Sequence, residues 1–146
     1  MQRKIYVFIL TMILSSFVFA QTSNLKIIDF NISPAPVFDQ PSDTNQIKLN
    51  IGFKCDDFSK ADKAYLLFGS APDNASVATL IINISKNGNG YKLSYNNIDF
   101  PVSGQWEAMA DIVVEKSLYR QARYVTLYLK EKKGLITTHL NRQVKL

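Results

Sequence analysis

Gln46-Ile-Lys-Leu-Asn-Ile-Gly-Phe-Lys-Cys55 decides the fold. Ile47, Leu49, Ile51, Phe53 and Cys55 share one parity, and Lys48, Asn50, Gly52 and Lys54 share the other. Side chains along a strand point alternately to opposite faces, so this spacing gives one apolar face and one wet face. On a helix the same five residues would be spread around the circumference. The stretch predicts a central strand laid over a hydrophobic core, and the neighbouring segments read as its coverings.

Downstream, 56–62 reads as a polar connection, and Lys63 to Gly69 as a strand whose contiguous Tyr65, Leu66, Leu67 and Phe68 suit burial on both faces. Pro72, Asp73 and Asn74 mark a turn, after which Val77 to Ser85 places Leu80, Ile82 and Ile84 on one side. Asn87-Gly88-Asn89-Gly90 is a hairpin signal, because Asn and Gly tolerate positive φ, and Tyr91 to Tyr95 is the returning strand. Asn96-Asn97 breaks the pattern, and Ile98, Phe100 and Val102 continue it briefly across Pro101. Alternation resumes over Gln105 to Glu115, a short helical turn is expected over Lys116 to Gln121, and strands follow at Arg123 to Lys130 and Leu135 to Leu146.

Upstream, Asn24 to Ser33 carries Leu25 and Ile27 on one parity but Ile28, Phe30 and Ile32 on the other. That switch predicts a bulge, or a strand that passes between sheets. Pro34, Pro36 and Pro41 then mark an extended or turning linker that cannot supply ladder donors at those positions. The expected fold is all-β: a two-sheet antiparallel sandwich of seven or eight strands.

The first twenty residues stand outside this pattern. Arg3 and Lys4 precede the uncharged run Ile5 to Phe19, and Val18-Phe19-Ala20 offers a cleavage site, the anatomy of a signal peptide at 1–20 cut after Ala20. The run is shorter than the roughly 20 residues a membrane-crossing helix needs, so no stable transmembrane anchor is expected. No cysteine follows the cut as a lipid attachment point. A secreted or periplasmic protein is expected, with residues 21–146 forming one domain.

Setting Arg3 and Lys4 aside lowers the formal charge from +5 to +3. Cys55 is the single cysteine, so no intrachain disulfide can form, and its place on the apolar parity predicts a buried free thiol. Stability must then come from apolar burial, for which 47% hydrophobic residues supply the material.

The carboxyl-terminal stretch Tyr124-Val-Thr-Leu-Tyr-Leu-Lys-Glu-Lys-Lys-Gly134, followed by Leu-Ile-Thr-Thr, resembles the last hairpin of immunoglobulin-like and fibronectin-type-III-like domains of secreted bacterial proteins. The resemblance implies strand A at Asn24–Ser33, B at Gln46–Cys55, C at Lys63–Gly69, E at Gln105–Glu115, F at Arg123–Lys130 and G at Leu135–Leu146. Val77–Tyr95 would be an additional hairpin between C and E, and Tyr124 or Tyr119 would close a tyrosine corner. The paired cysteines of antibody domains are absent, and Trp106 falls on E rather than C. The likeness implies an architecture and no particular activity.

Catalytic equipment is sparse. His139 is the only histidine and falls on the polar parity of the last strand, which provides neither a triad nor a zinc ligand set, and no enzyme activity or cofactor is expected. Asp56, Asp57 and Asp62 share one connection and could hold a cation, but they lack the spacing of a calcium loop and read first as turn formers. Residues 116–146 carry eight bases against Glu131 alone, whereas 21–115 carry seven bases against eleven acids. The basic end suits an anionic envelope partner, although charged edge strands also block aggregation, and export argues against nucleic acid. Tyr124 and Tyr128 lie opposite Val125, Leu127 and Leu129 and could form an outward stripe with Thr126. With Arg123, Lys132 and Lys133 they make the candidate binding set, for a protein or cell-envelope partner; the alternative is a carbohydrate-binding or carbohydrate-active protein that uses exposed aromatics and loop carboxylates.

Overall fold

Gln46–Cys55 forms strand β2, with Leu49, Ile51, Phe53 and Cys55 almost fully buried and Lys48, Asn50, Gly52 and Lys54 on the other face. The structure, a computed structural model, describes residues 25–103, 107–133 and 136–143. The signal peptide expected at 1–20 and Trp106 fall outside the described residues.

β2 pairs on one side with β1 (Ile27–Pro34) and on the other with β7 (Glu107–Glu115), both antiparallel. A second group, β5 (Gly90–Tyr95), β4 (Ala78–Asn87), β3 (Ala61–Gly69), β8 (Tyr124–Glu131) and β9 (Ile136–Gln143), is antiparallel throughout. β6 (Ile98–Ser103) joins them, pairing with β5 through Lys92–Tyr95 and with β7 through Ala108 and Glu107. The resulting order, β1-β2-β7-β6-β5-β4-β3-β8-β9, folds as a sheet of three and a sheet of five that share a bridging strand. One core of buried residues draws on both sheets, with Phe30, Leu49, Phe53 and Ile112 from the first and Leu66, Phe68, Ile82, Leu93 and Leu127 from the second. The arrangement is all-β and sandwich-like.

Local chemistry explains the departures from regular alternation. The β1–β2 ladder slips between Ile27 and Asp29. That bulge leaves Ile28 60% exposed while Phe30 is fully buried and Ile27 and Ile32 pack on the core, so the parity switch is a bulge. Gly88, at φ +60, makes the turn between β4 and β5. Asn96 and Asn97, both at positive φ, make a second two-residue hairpin between paired Tyr95 and Ile98. The short apolar run after Asn97 is therefore a full strand, and the described residues form nine strands where seven or eight were expected.

The connection at 56–62 also contributes to the core. Asp57 accepts hydrogen bonds from the Ser59 backbone N–H and hydroxyl, which caps a 3-10 turn over Phe58–Lys60. The turn buries Phe58 against Phe53 and Tyr91, with ring centroids 5.8 and 6.4 Å away. Asp62 belongs to β3, beside a register shift between Ala61 and Lys63, and is not a loop residue. Between β7 and β8, the helix α1 (Lys116–Gln121) inserts Tyr119 and the following Ala122 into the core. Tyr119 is almost fully buried, whereas Tyr124 is half-buried at the start of β8.

Candidate binding surface on the five-stranded sheet

Alternation along β3, β4 and β8 sends Ala64, Leu66, Phe68, Ile82, Leu127 and Leu129 into the core. The same alternation sends Tyr65, Leu67, Ile81, Thr126 and Tyr128 to the opposite face. Register places Ile81, Tyr65 and Tyr128 side by side across three strands, with the backbone of His139 next in line on β9. Leu67 and Thr126 form the adjacent row, and Lys63 and Lys130 the row on the other side. Tyr65, Leu67 and Tyr128 are half-buried and Ile81 is exposed, so a low apolar ridge crosses the outer face with cations on one flank.

The other flank is closed by the chain itself. The β3–β4 connection folds back over β8, where the Asp73 N–H donates to Thr126 Oγ1 at 2.9 Å and the Tyr128 phenol donates to Asp73 Oδ1 at 3.0 Å. Asn74 Oδ1 and the Ser76 hydroxyl, which accept from Ser76 N–H and Ser70 N–H, brace the same loop. Thr126 is fully covered, so the stripe of Tyr124, Thr126 and Tyr128 is not continuous at the surface. Burial, together with the bond to Asp73 and its negative charge, lifts the Tyr128 phenol above its ordinary range.

The residues of the candidate binding set do not form one patch. Arg123 and Tyr124 lie at one end of β8, where the Arg123 N–H donates to the Gly69 carbonyl at 2.9 Å. Lys132 and Lys133 lie in the exposed turn beyond the other end, where the Lys132 N–H donates to the Lys60 carbonyl at 3.0 Å. At about 3.4 Å per residue, the strand holds these ends roughly 25–30 Å apart. Tyr128 alone of the five sits on the central ridge. Tyr65 and Leu67 stand out in the sequence only as members of the unbroken Tyr65-Leu66-Leu67-Phe68 run, which needs cover on both faces of β3, and nothing local marks Ile81 as their neighbour.

Comparison with protein-family models, curated proteins and solved structures gives no match.

The acidic connection is occupied with local structure. Asp56 Oδ1 accepts from the Lys26 N–H at 2.9 Å, which ties down the start of β1. The Asp57 carboxyl is held below the usual carboxylate range, first by its bond from the Ser59 hydroxyl and further by the nearby charges of Lys60 and Lys132. Among the described residues, no group of three or more His, Cys, Asp or Glu gathers as a metal site. Cys55 is a free thiol, fully buried, and burial pushes its pKa up to about 12. It therefore lacks the thiolate character that reactive cysteines need. No helix among the described residues is long and apolar enough to cross a membrane.

Proposed function

We propose that the chain is a secreted or periplasmic, non-enzymatic binding module of the immunoglobulin-like or fibronectin-type-III-like kind. Its partner-facing surface is the outer face of the five-stranded sheet. The reading is carried by the register of Ile81, Tyr65 and Tyr128, which sets three large side chains in line on the solvent side of the sheet. Such a ridge offers aromatic area at low conformational-entropy cost, and the Asp73 latch fixes one of its members before any partner arrives. The family reading is supported by strand order: β1-β2-β7 corresponds to A-B-E, β9-β8-β3 to G-F-C, and β4 and β5 to the extra hairpin. The leader at 1–20 supports export.

A protein or cell-envelope component is the expected ligand. The ridge would also stack on a sugar ring, whereas Asp56 and Asp57 are engaged in backbone capping, which removes support from a glycan site built on loop carboxylates. The test is binding of the purified protein to solubilised envelope proteins and to a glycan array, with a Tyr65→Ala, Tyr128→Ala variant in parallel. Loss of at least about tenfold in affinity, with the circular dichroism spectrum retained, is the expected result. Undiminished binding by the double variant would sink the assignment of the surface.

A further inference from the structure

Val37 and Phe38 are 90% and 85% exposed, the highest values among the large hydrophobic side chains of the described residues. They form the 3-10 turn Val37–Asp39 between β1 and β2, at the pole opposite Cys55. The turn is tightly held. Gln40 Nε2 donates to the carbonyls of Ala35 and Lys48 at 2.7 and 3.1 Å, and Gln40 Oε1 accepts from the Lys48 N–H at 2.9 Å. The Ala35 N–H donates to the Lys48 carbonyl, the Asp39 N–H donates to the Pro36 carbonyl, and Ala35 is buried beneath. Pro34, Pro36 and Pro41 fix φ along the same stretch. A turn so constrained presents its two apolar side chains to solvent in a set position, with little entropy left to lose on contact.

A cleft lies beside this knob. A cavity of about 340 Å³, walled in part by Pro34, Val37, Pro41 and Ile47, adjoins a polar one of about 640 Å³ that runs to α1. The two share Asp43, Thr44, Gln46 and Lys116. The charges around knob and cleft are balanced, with Asp39, Asp43 and Glu115 against Lys48, Lys116 and Arg120. None of the six makes an ion pair among the described residues. A one-signed partner such as an anionic bilayer or nucleic acid gains nothing from such a rim.

We propose that this pole is a contact between two copies of the chain related by a two-fold axis. Each copy places Phe38 in the other's cleft against Pro34, Pro41 and Ile47, and sets Lys116 and Arg120 toward the other's Glu115 and Asp43. A two-fold interface must carry both halves of every complementarity in one patch. Here a protruding apolar pair adjoins an apolar cleft, and acids adjoin bases with no ion pair between them among the described residues. The patch holds fewer residues than the roughly 20–30 a side of a standard stable interface, so the dimer is reversible. It is separate from the ridge on the five-stranded sheet and does not depend on that assignment.

The experiment is sedimentation velocity of the purified protein from low micromolar to near-millimolar concentration. A concentration-dependent monomer–dimer equilibrium is expected, and Phe38→Asp should raise its dissociation constant by about tenfold or more. Phe38 touches so little of its own chain that the variant should keep the parent circular dichroism spectrum and melting temperature. Charge reversal gives a second reading: Glu115→Lys alone and Lys116→Glu with Arg120→Glu alone should each weaken self-association, and mixing the two should restore a dimer. A monomer at every concentration, a dimer indifferent to Phe38→Asp, or no recovery on mixing would overturn the proposal.

Discussion

The Tyr128 hydroxyl donates to Oδ1 of Asp73 at 3.0 Å, joining residues 55 positions apart and fastening the β3–β4 loop across the outside of β8. Asp73 sits at φ +59, a left-handed conformation that Asp tolerates better than most residues, and its N–H is bound to Thr126 Oγ1. The loop is thus held through both the backbone and the side chain of one residue. That latch decides how much of the aromatic ridge faces solvent.

Removing the latch should change the titration of the phenol. Tyr128 has a folded pKa above its ordinary value through burial first and Asp73 second, so the protonated phenol is favoured in the fold. Its contribution to stability is fully present below the unfolded value of about 10 and is lost as pH rises through the folded one. Asp73→Asn removes the charge and should bring the Tyr128 ionisation down toward the ordinary range, as read by ultraviolet difference absorbance. Tyr128→Phe should cost about 0.5–1.5 kcal/mol near neutrality and abolish that step. An unchanged phenol titration in Asp73→Asn would mean that the bond is not formed in solution.

Gly69 tests the same loop from beneath. A Cβ added there would run into the backbone carbonyl of Asn74, which cannot give way as a flexible side-chain end would. Gly69→Ala should cost about 1–3 kcal/mol and increase protease cutting within 70–76. The comparison variant is Gly52→Ala on the outer face of β2, where the nearest atom to an added Cβ is the Ala108 carbonyl at 3.9 Å. That variant should lie within about 0.5 kcal/mol of the parent.

Period-two patterning made most of the core legible in the sequence. Ile47 through Cys55 and the inward Leu80, Ile82 and Ile84 follow from alternation, and the parity switch in β1 narrows it to a bulge or a change of sheet, of which the ladder shows the bulge. Where the structure adds to that reading, the controlling contacts are not local. Asn96-Asn97 looks like a break because the strand after it is short and contains Pro101, and only its two partners, β5 and β7, make it a strand. Phe58 is a lone apolar residue in an acidic stretch, and its burial depends on a cap that sets a 3-10 turn over β2. The outer ridge was half legible: Tyr128 has a clear parity within β8, but its neighbours come from register with β3 and β4, which one strand's sequence does not encode.

Cys55 should behave as a core atom and not as a thiol. With its pKa at about 12 and its side chain fully buried, reaction with an aromatic disulfide reagent at pH 8 should proceed only through unfolding. Modification rates should therefore track unfolding across a denaturant series, and rapid labelling of the native protein would contradict this burial. Cys55→Ser, which places a hydroxyl at a fully buried position, should cost about 1–3 kcal/mol, more than Cys55→Ala if the hydroxyl finds no partner.

The cap at Asp57 and the ring at Phe58 should prove to be one device. Asp57 holds the turn through the Ser59 N–H and hydroxyl, and the turn aims Phe58 between Phe53 and Tyr91. Phe58→Ala should cost about 3–5 kcal/mol, the range for emptying a buried aromatic site, and Asp57→Ala about 1 kcal/mol as a lost cap. Because the Asp57 carboxyl is depressed in the fold, its contribution is present above the ordinary carboxylate pKa and is lost as pH falls through the folded value. The parent should accordingly lose more stability than Asp57→Ala between pH 5 and pH 3. In a double-mutant cycle the two substitutions should sum to less than their separate costs, because the cap has less to position once the ring is gone. Strict additivity in urea unfolding would show that Phe58 finds its site without Asp57.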